Sequence, residues 1–531
     1  MIAVSVNKDR FFYDIHSLVK AFYPEEEVAC FVRGTKDVRS SEGSIALSVD
    51  LAEEKGEIFV SLSQGREGWS VPEGTKGIKE EKIQTGFGLT GTDIISESIT
   101  CLPEKDGGRT SSIDLSPVFD ERGERLYNAK NALKRLLYRM LSGQTGKQLP
   151  WGSLTGIRPT HIPATLLQAG RDDATILKEL ADTYHVSSEK AALALEIAKR
   201  EREVLSGDAF ADGYSLYAGI PFCPTTCLYC SFPSYPAGAW ADRIDAYLDA
   251  LIRELRAVSE LFQGRRLCTV YIGGGTPTTL SPAQSDRLLT AIETLFDLSH
   301  VREITVEAGR PDSVTEEKLQ TLKAHGVTRL SINPQTMQQR TLDLIGRRHS
   351  VDDVVRAFAL ARSFGCFSIN MDLILGLPGE NAADVSETMD RIEALAPDDL
   401  TLHALAVKRG SRMQALLESG KASFPAFRDI EAATELAQKR ARGMGLKPYY
   451  LYRQKNIAGN FENTGYARED AIGLYNILIN SDVHSIAACG AGAVSKRVSG
   501  DAVNRAENVR ELTQYLDRID EMIDRKVILY S

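Results

Sequence analysis

The chain has 531 residues, 43% of them hydrophobic and 25% charged, with a formal net charge of −9. That balance is ordinary for a globular protein too long for one hydrophobic core, so two to four domains are expected. The acidic sum argues against nucleic acid or an anionic membrane as a partner; with no apolar stretch near the roughly 20 residues that span a bilayer, and no basic, apolar leader at its start, the chain is expected to be cytoplasmic.

Four short apolar runs come first, IAVSVN, VACFVRG, SIALSVD and IFVSLSQ, with one helix-period segment, IHSLVKAFY, between the first two. They predict a small α/β domain over residues 1–120. A helical connecting region over 121–206 follows. It holds the basic helix LYNAKNALKRLLYRMLSG (126–143), the segment PWGSLTGIRPTHIP (150–163) and two helices ending near Val204. The Gly- and Asp-rich GDAFADG (207–213) reads as a linker.

From about Tyr214 short apolar strands alternate with amphipathic helices. The strands are SLYAGIPF (215–222), CTVYIGGG (268–275), REITVEAG (302–309), RLSINPQ (329–335), SINMDLILGLP (368–378) and DLTLHALA (399–406). Helix-period segments such as 243–262 and 350–365 lie between them. Nearly continuous Val, Ile and Leu runs suit parallel strands buried on both faces. Six such units in succession predict a parallel sheet with right-handed crossovers, curled into a full or partial barrel over 207–410. Ligands in such folds gather at the C-terminal strand ends. A mixed α/β region over 411–531, with the Gly- and Ala-rich CGAGAVS (489–495), is expected to complete the substrate pocket.

Of eight cysteines, five are scattered (Cys30, Cys101, Cys268, Cys366, Cys489), while Cys223, Cys227 and Cys230 crowd into eight positions after the first barrel strand. Clustering of this kind points to metal or redox chemistry rather than to a disulfide framework. A structural zinc site wants four ligands, and no fourth cysteine stands close by. Three thiolates instead suit three irons of a 4Fe-4S cube. The fourth iron is then open to an amine and carboxylate such as S-adenosylmethionine (SAM) presents. Electron transfer from such a cluster to the sulfonium starts radical chemistry, with the protein supplying position and field.

Gly273-Gly274-Gly275-Thr276-Pro277-Thr278 ends the second strand. Successive glycines let a ligand approach the backbone, and one βα unit after the cysteines this is where the methionyl end of SAM would lie. Polar residues mark later strand ends: Glu307, Gln335, Asp372 within the fifth strand, and Arg347 in IGRRH. A carboxylate suits ribose hydroxyls, and an arginine suits a carboxylate held by two prongs.

Tyr217-Ala-Gly-Ile-Pro-Phe-Cys223, GGGTPT, Glu307, RLSINPQ, IGRRH and NMDLILGLP together resemble the oxygen-independent coproporphyrinogen III dehydrogenase group of the radical SAM superfamily. The likeness is strong over about 215–410 and weak at CGAGAVS. PWGSLTGIRPT and IPFCPTTCLYCSFPSYP look most like its HemZ type. The resemblance implies an α/β fold, a radical SAM partial (β/α)6 barrel with an N-terminal α/β plus helical region and a C-terminal mixed extension. It implies that Cys223, Cys227 and Cys230 hold the cluster, that Tyr217 contacts the cluster-bound SAM, that Gly274 meets its methionyl group, and that Glu307 meets its ribose. Tyr229, Gly275, Thr276, Gln335, Arg347, Asp372 and Ala406 match positions that hold a second SAM in the dehydrogenase type. Val494 fits a backbone contact to the first SAM's adenosine. One departure stands out: the dehydrogenases carry a further cysteine two residues past the last ligand, where this chain has Phe232, as HemW-type proteins also lack it.

The implied activity is oxidative decarboxylation of coproporphyrinogen III, with a tetrapyrrole substrate and an electron donor such as flavodoxin or ferredoxin. Such a substrate carries four carboxylates, and Arg310, Lys408, Arg409 and Arg453 are the candidate cations, with Lys130, Lys134, Arg135 and Arg139 of the basic helix. Two other activities are open: a radical SAM methyltransferase or ring-opening enzyme acting on haem, and a HemW-like haem chaperone with His349, His403 or His484 as an axial ligand.

Overall fold

A computed structural model gives the fold. It describes residues 2–6, 11–24, 26–32, 45–52, 57–64, 94–100, 123–206, 210, 213–407, 412–420, 423, 425–454, 461–500 and 502–531. Most of the expected linker 207–213, and both Lys408 and Arg409, lie outside the described residues.

The chain divides into two compact units, residues 1–156 with 170–192, and residues 157–169 with 193–531. In the first, a five-stranded sheet runs in the order Val28–Val32, Ile2–Val6, Ile45–Ala52, Glu57–Gln64, Ile94–Thr100. The fifth strand, IISESIT, is too polar to have stood out in the sequence. Helix Phe12–Phe22 buries Ile15, Leu18, Val19 and Phe22, spaced for one helical face. The basic helix spans Gly123–Thr145. The two helices expected before Val204 are three: Asp173–Tyr184 lies in this unit, His161–Gln168 in the second, and Ser188–Val204 begins in the first and ends in the second. Gly170, in a left-handed conformation, stops His161–Gln168, and the Asp172 carboxylate caps Asp173–Tyr184 by accepting from Thr175 N.

In the second unit all six expected strands form, as Tyr214–Ile220, Leu267–Gly274, Glu303–Glu307, Arg329–Ser331, Ser368–Leu375 and Asp399–Ala404, each parallel to the next. We number them one to six. Helices between them begin where the sequence supplies caps; Ser350 and Asp353 close a reciprocal capping box ahead of Val351–Ser363. Strand four stops at Ser331, short of its predicted end, because Pro334 has no N–H for the ladder. Pairing resumes for one residue at Gln335, whose N–H donates to Asp372 O and whose carbonyl accepts from Ile374 N.

The C-terminal residues join the same sheet at both edges. Ser485–Cys489 lies parallel along strand one, followed by antiparallel Val494–Ser499 and Ala502–Glu507. Asn463–Ala467 and Lys447–Tyr452 extend strand six in antiparallel sense. Residues 207–410 and 411–531, expected as separate segments, therefore share one unit. No ladder joins the two outer edges among the described residues, so the (β/α)6 barrel is partial. No helix among them is long and apolar enough to cross a membrane.

Candidate active site

Pro221 breaks strand one, and Phe222–Cys223 then pairs with Tyr235–Pro236, closing the cysteine loop at its base. Leu228 inside the loop donates to Ile345 O at 3.0 Å and accepts from Met413 N at 3.0 Å. All three thiols are free, and Thr276 Oγ1 donates to Cys223 Sγ at 3.4 Å. Burial pushes the Cys223 thiol up, and the Cys230 thiol up to about 11, with Cys227 and Cys223 adding to the latter through their nearby charge. Among the described residues no three His, Cys, Asp or Glu side chains gather closely enough for a single ion. Thiols spread along a short loop suit a cluster, which takes each thiolate on a different iron.

Behind the loop sits the end of strand two. Gly275 N donates to Ile220 O and Thr276 N to Phe222 O, each at 2.7 Å. A Cβ on Gly275 would stand 2.6 Å from Phe222 O, so this glycine is required by packing against the cysteine loop as well as by any ligand. Gly274 has φ +107, which L residues with side chains rarely adopt, and its N–H donates to Glu307 Oε2 at 3.2 Å.

Glu307 also accepts from Tyr271 Oη at 2.6 Å. Burial pushes its carboxyl up to about 7, and Asp372 adds to the shift. A carboxylate offers about four lone pairs; two donors leave acceptor capacity for ribose hydroxyls. Tyr217 lies in register with Tyr271, and their rings stack with Tyr475 from helix Leu474–Asn480, the closest pair, Tyr271 and Tyr475, at 4.4 Å.

Among the described residues Gln335 is one of three non-glycine residues with positive φ, and its buried Oε1 has no hydrogen-bond partner there. Such backbone strain persists where the surroundings over-determine it. Asp372 accepts from Asn370 Nδ2 at 2.8 Å and lies 3.7 Å from His403 Nε2; burial raises its carboxyl, but His403 and these donors hold it below the usual range overall. Arg347 is buried, donating to Tyr229 Oη at 3.2 Å, to Asn333 O at 2.9 Å and to Gly309 O. Its Nε has no partner among the described residues. Glu307, Gln335, Arg347, Tyr229 and the cysteines thus sit at C-terminal ends of neighbouring strands or on the loops leaving them, while Asp372 lies within strand five. Ala406 follows strand six, and Val494 opens the exposed end of its strand.

The model of the radical SAM superfamily matches residues 217–392. The oxygen-independent coproporphyrinogen-III oxidase-like protein HemZ of Bacillus subtilis is 38% identical over 420 residues, 78% of this chain and 83% of that protein. The chain belongs to the HemZ-like radical SAM family. The cofactors of this superfamily are a 4Fe-4S cluster and SAM, and the residues at the barrel mouth fit them. The haem chaperone HemW of Bacillus subtilis is 33% identical over 238 residues, 45% of this chain and 62% of that protein, so the match spans less than two thirds of HemW. The solved coproporphyrinogen III oxidase HemN of Escherichia coli aligns with a TM-score of 0.48 at 25% identity, over 60% of this chain and 72% of that one.

Two of the cations expected for the substrate of a HemZ-like chain, Arg310 and Arg453, are buried. Arg310 is only 2% exposed; it grips both oxygens of Asp312 at 3.1 Å and donates to Thr225, so its fork faces the protein. Arg453 is buried, which lowers its guanidinium to about 10. Lys134 is tied to Thr155 and Asp14 inside the first unit, which also holds Lys130, Arg135 and the exposed Arg139. Among the histidines, His484 is buried beside Ser485, which pairs with Tyr214 at the N-terminal end of strand one, opposite the cysteines. His349 is buried among Arg347, Arg310 and Asp312, and burial with those arginines pushes it down to about 3. His403, beside Asp372, is half-buried. Phe232, by contrast, is 65% exposed. Sequence reading missed Tyr271 and Tyr475. The first could have been found from its register with Tyr217, whereas nothing local marks the second.

Proposed function

We propose that this chain carries out the oxygen-independent oxidative decarboxylation of coproporphyrinogen III to protoporphyrinogen IX in a reducing cytoplasm. The observation that carries the reading is a conjunction: three free cysteines, Gly274 and Glu307 meet at one end of a barrel whose chain is 38% identical to a coproporphyrinogen-III oxidase-like protein over 83% of that protein. The cluster with SAM supplies a 5′-deoxyadenosyl radical when electrons come from a donor such as flavodoxin or ferredoxin. Given that chemistry, conversion of a propionate to a vinyl group would release CO₂ and pass one electron to an external one-electron acceptor.

The chain's own residues hold the reactants. Glu307 accepts from ribose hydroxyls, and Tyr271 keeps its carboxylate turned to Gly274. Tyr217 borders the first SAM, while Tyr229, Gly275, Thr276, Gln335, Arg347, Asp372 and Ala406 frame space for a second, and Val494 meets the first SAM's adenosine through its backbone. Lys408 and Arg409, which come after strand six in the sequence, are candidates for the substrate carboxylates, as are Arg453 and the cations of the basic helix. The test is an anaerobic assay of the reconstituted protein with SAM, a low-potential reductant, a one-electron acceptor and coproporphyrinogen III. Release of CO₂ with vinyl porphyrin is expected; formation of 5′-deoxyadenosine without decarboxylation refutes the substrate.

A second reading, haem carriage, draws on the HemW relatives and on Phe232 two residues past the last cysteine. It predicts stoichiometric haem binding without turnover, and His403→Ala tests the histidine best placed at the barrel mouth.

A further inference from the structure

Thr225 lies between the first two cysteines and Tyr229 between the last two. Each is held from behind by a different buried arginine. Arg310 Nη1 donates to Thr225 Oγ1 at 2.8 Å and to Thr225 O at 3.2 Å, while its Nε and Nη2 take both oxygens of Asp312. Arg347 holds Tyr229, and the Thr225 hydroxyl also reaches Gly346 O at 3.3 Å, next to Arg347. Asp312 orients the Arg310 fork, so its third nitrogen can point only where the loop passes. A lysine, with one compact ammonium, could not make both attachments.

We infer that Arg310 is a positioning residue for the cluster, pinning the first half of the cysteine loop to the end of strand three and bringing a permanent positive charge beneath it. This rests on the cluster assignment and goes beyond the substrate reading, which had placed Arg310 among the carboxylate ligands. The geometry has a cost for alternatives: a fork already divided between Asp312 and Thr225 cannot also clasp a propionate.

The test uses the full chain, anaerobically reconstituted, as Arg310→Gln, Arg310→Lys and Thr225→Val. Three quantities are read: the rate of iron loss to excess chelator, the electron paramagnetic resonance spectrum of the reduced cluster, and the melting temperature of the cluster-free chain. Arg310→Gln should lose iron about 10- to 150-fold faster, the factor a charge-assisted hydrogen bond is worth, with an altered spectrum. Arg310→Lys should lie closer to Gln than to wild type. Thr225→Val, which leaves the Arg310–Asp312 pair intact, should lose iron about two- to tenfold faster at an unchanged melting temperature. Wild-type iron retention and spectrum in Arg310→Gln overturn the role. Should that variant fail to fold, wild-type retention in Thr225→Val overturns it equally. A wild-type chain that takes up no iron refutes the cluster itself, and this role with it.

Discussion

Glu254 and Lys526 are both almost wholly buried, 0% and 1% exposed, and form an ion pair between helix Ile244–Leu261 and the C-terminal helix Ile519–Tyr530. The Glu254 carboxylate also accepts from Gly490 N, Tyr515 Oη and Asn508 Nδ2, each at 2.7 Å, and Lys526 donates to Asn508 Oδ1 at 2.8 Å. Removing one partner of a buried pair costs about 3–5 kcal/mol, because the other charge stays behind without compensation. The hydrogen bonds rank the two deletions. Lys526→Met leaves the carboxylate three donors and should fall near the lower figure. Glu254→Leu leaves the ammonium one neutral acceptor and should fall near the upper. The double variant puts apolar groups on both sides and should cost much less than the sum. The loss is read by native-state hydrogen exchange in the C-terminal helix and in 490–493, where 3–5 kcal/mol corresponds to roughly two to nearly four powers of ten in rate. Singles within about 1 kcal/mol of wild type, or a double variant as poor as the sum, would refute the argument.

Cys227→Ala should abolish both the brown cluster absorbance and 5′-deoxyadenosine formation, since two thiolates leave two irons without protein ligands; full iron content would dismiss the loop. Glu307, with its carboxyl up at about 7 against 4.5 unfolded, binds its proton more tightly folded than unfolded. Its contribution to stability is therefore intact at acid pH and falls as pH rises from about 4.5 to 7, by roughly 3–4 kcal/mol at most. Urea titrations at several pH values should show that slope lost in Glu307→Gln, and SAM affinity, which needs the ionised acceptor, should rise over the same window in wild type only. Arg347→Lys keeps the charge but cannot hold Tyr229, Asn333 and Gly309 together. Vinyl product should drop about tenfold or more while 5′-deoxyadenosine declines less; equal declines would assign Arg347 to the first SAM.

Much of this chain was readable along its length. The six barrel strands announced themselves as apolar runs between helix-period segments, because a strand buried on both faces has no polar face to interrupt it. The cysteine spacing, the Gly273–Gly275 run and Glu307 are each local, since a strand end and the loop after it are continuous in sequence. What the sequence left open depends on residues that only the fold brings together. Arg310 stands in the sequence as a candidate cation for substrate carboxylates; its place is set by Thr225, 85 positions away, which comes within reach only when strands one and three lie in one sheet. Gln335 lost its strand to Pro334 and regained one rung through strand five. Tyr475 joined Tyr217 and Tyr271, and Lys526 met Glu254 across 272 positions, once the C-terminal strand Ser485–Cys489 had paired alongside strand one. Periodicity and spacing report what neighbours along the chain dictate. Which donor meets which acceptor across the barrel is decided by topology, because a buried charge must find its partner wherever the sheet has placed it.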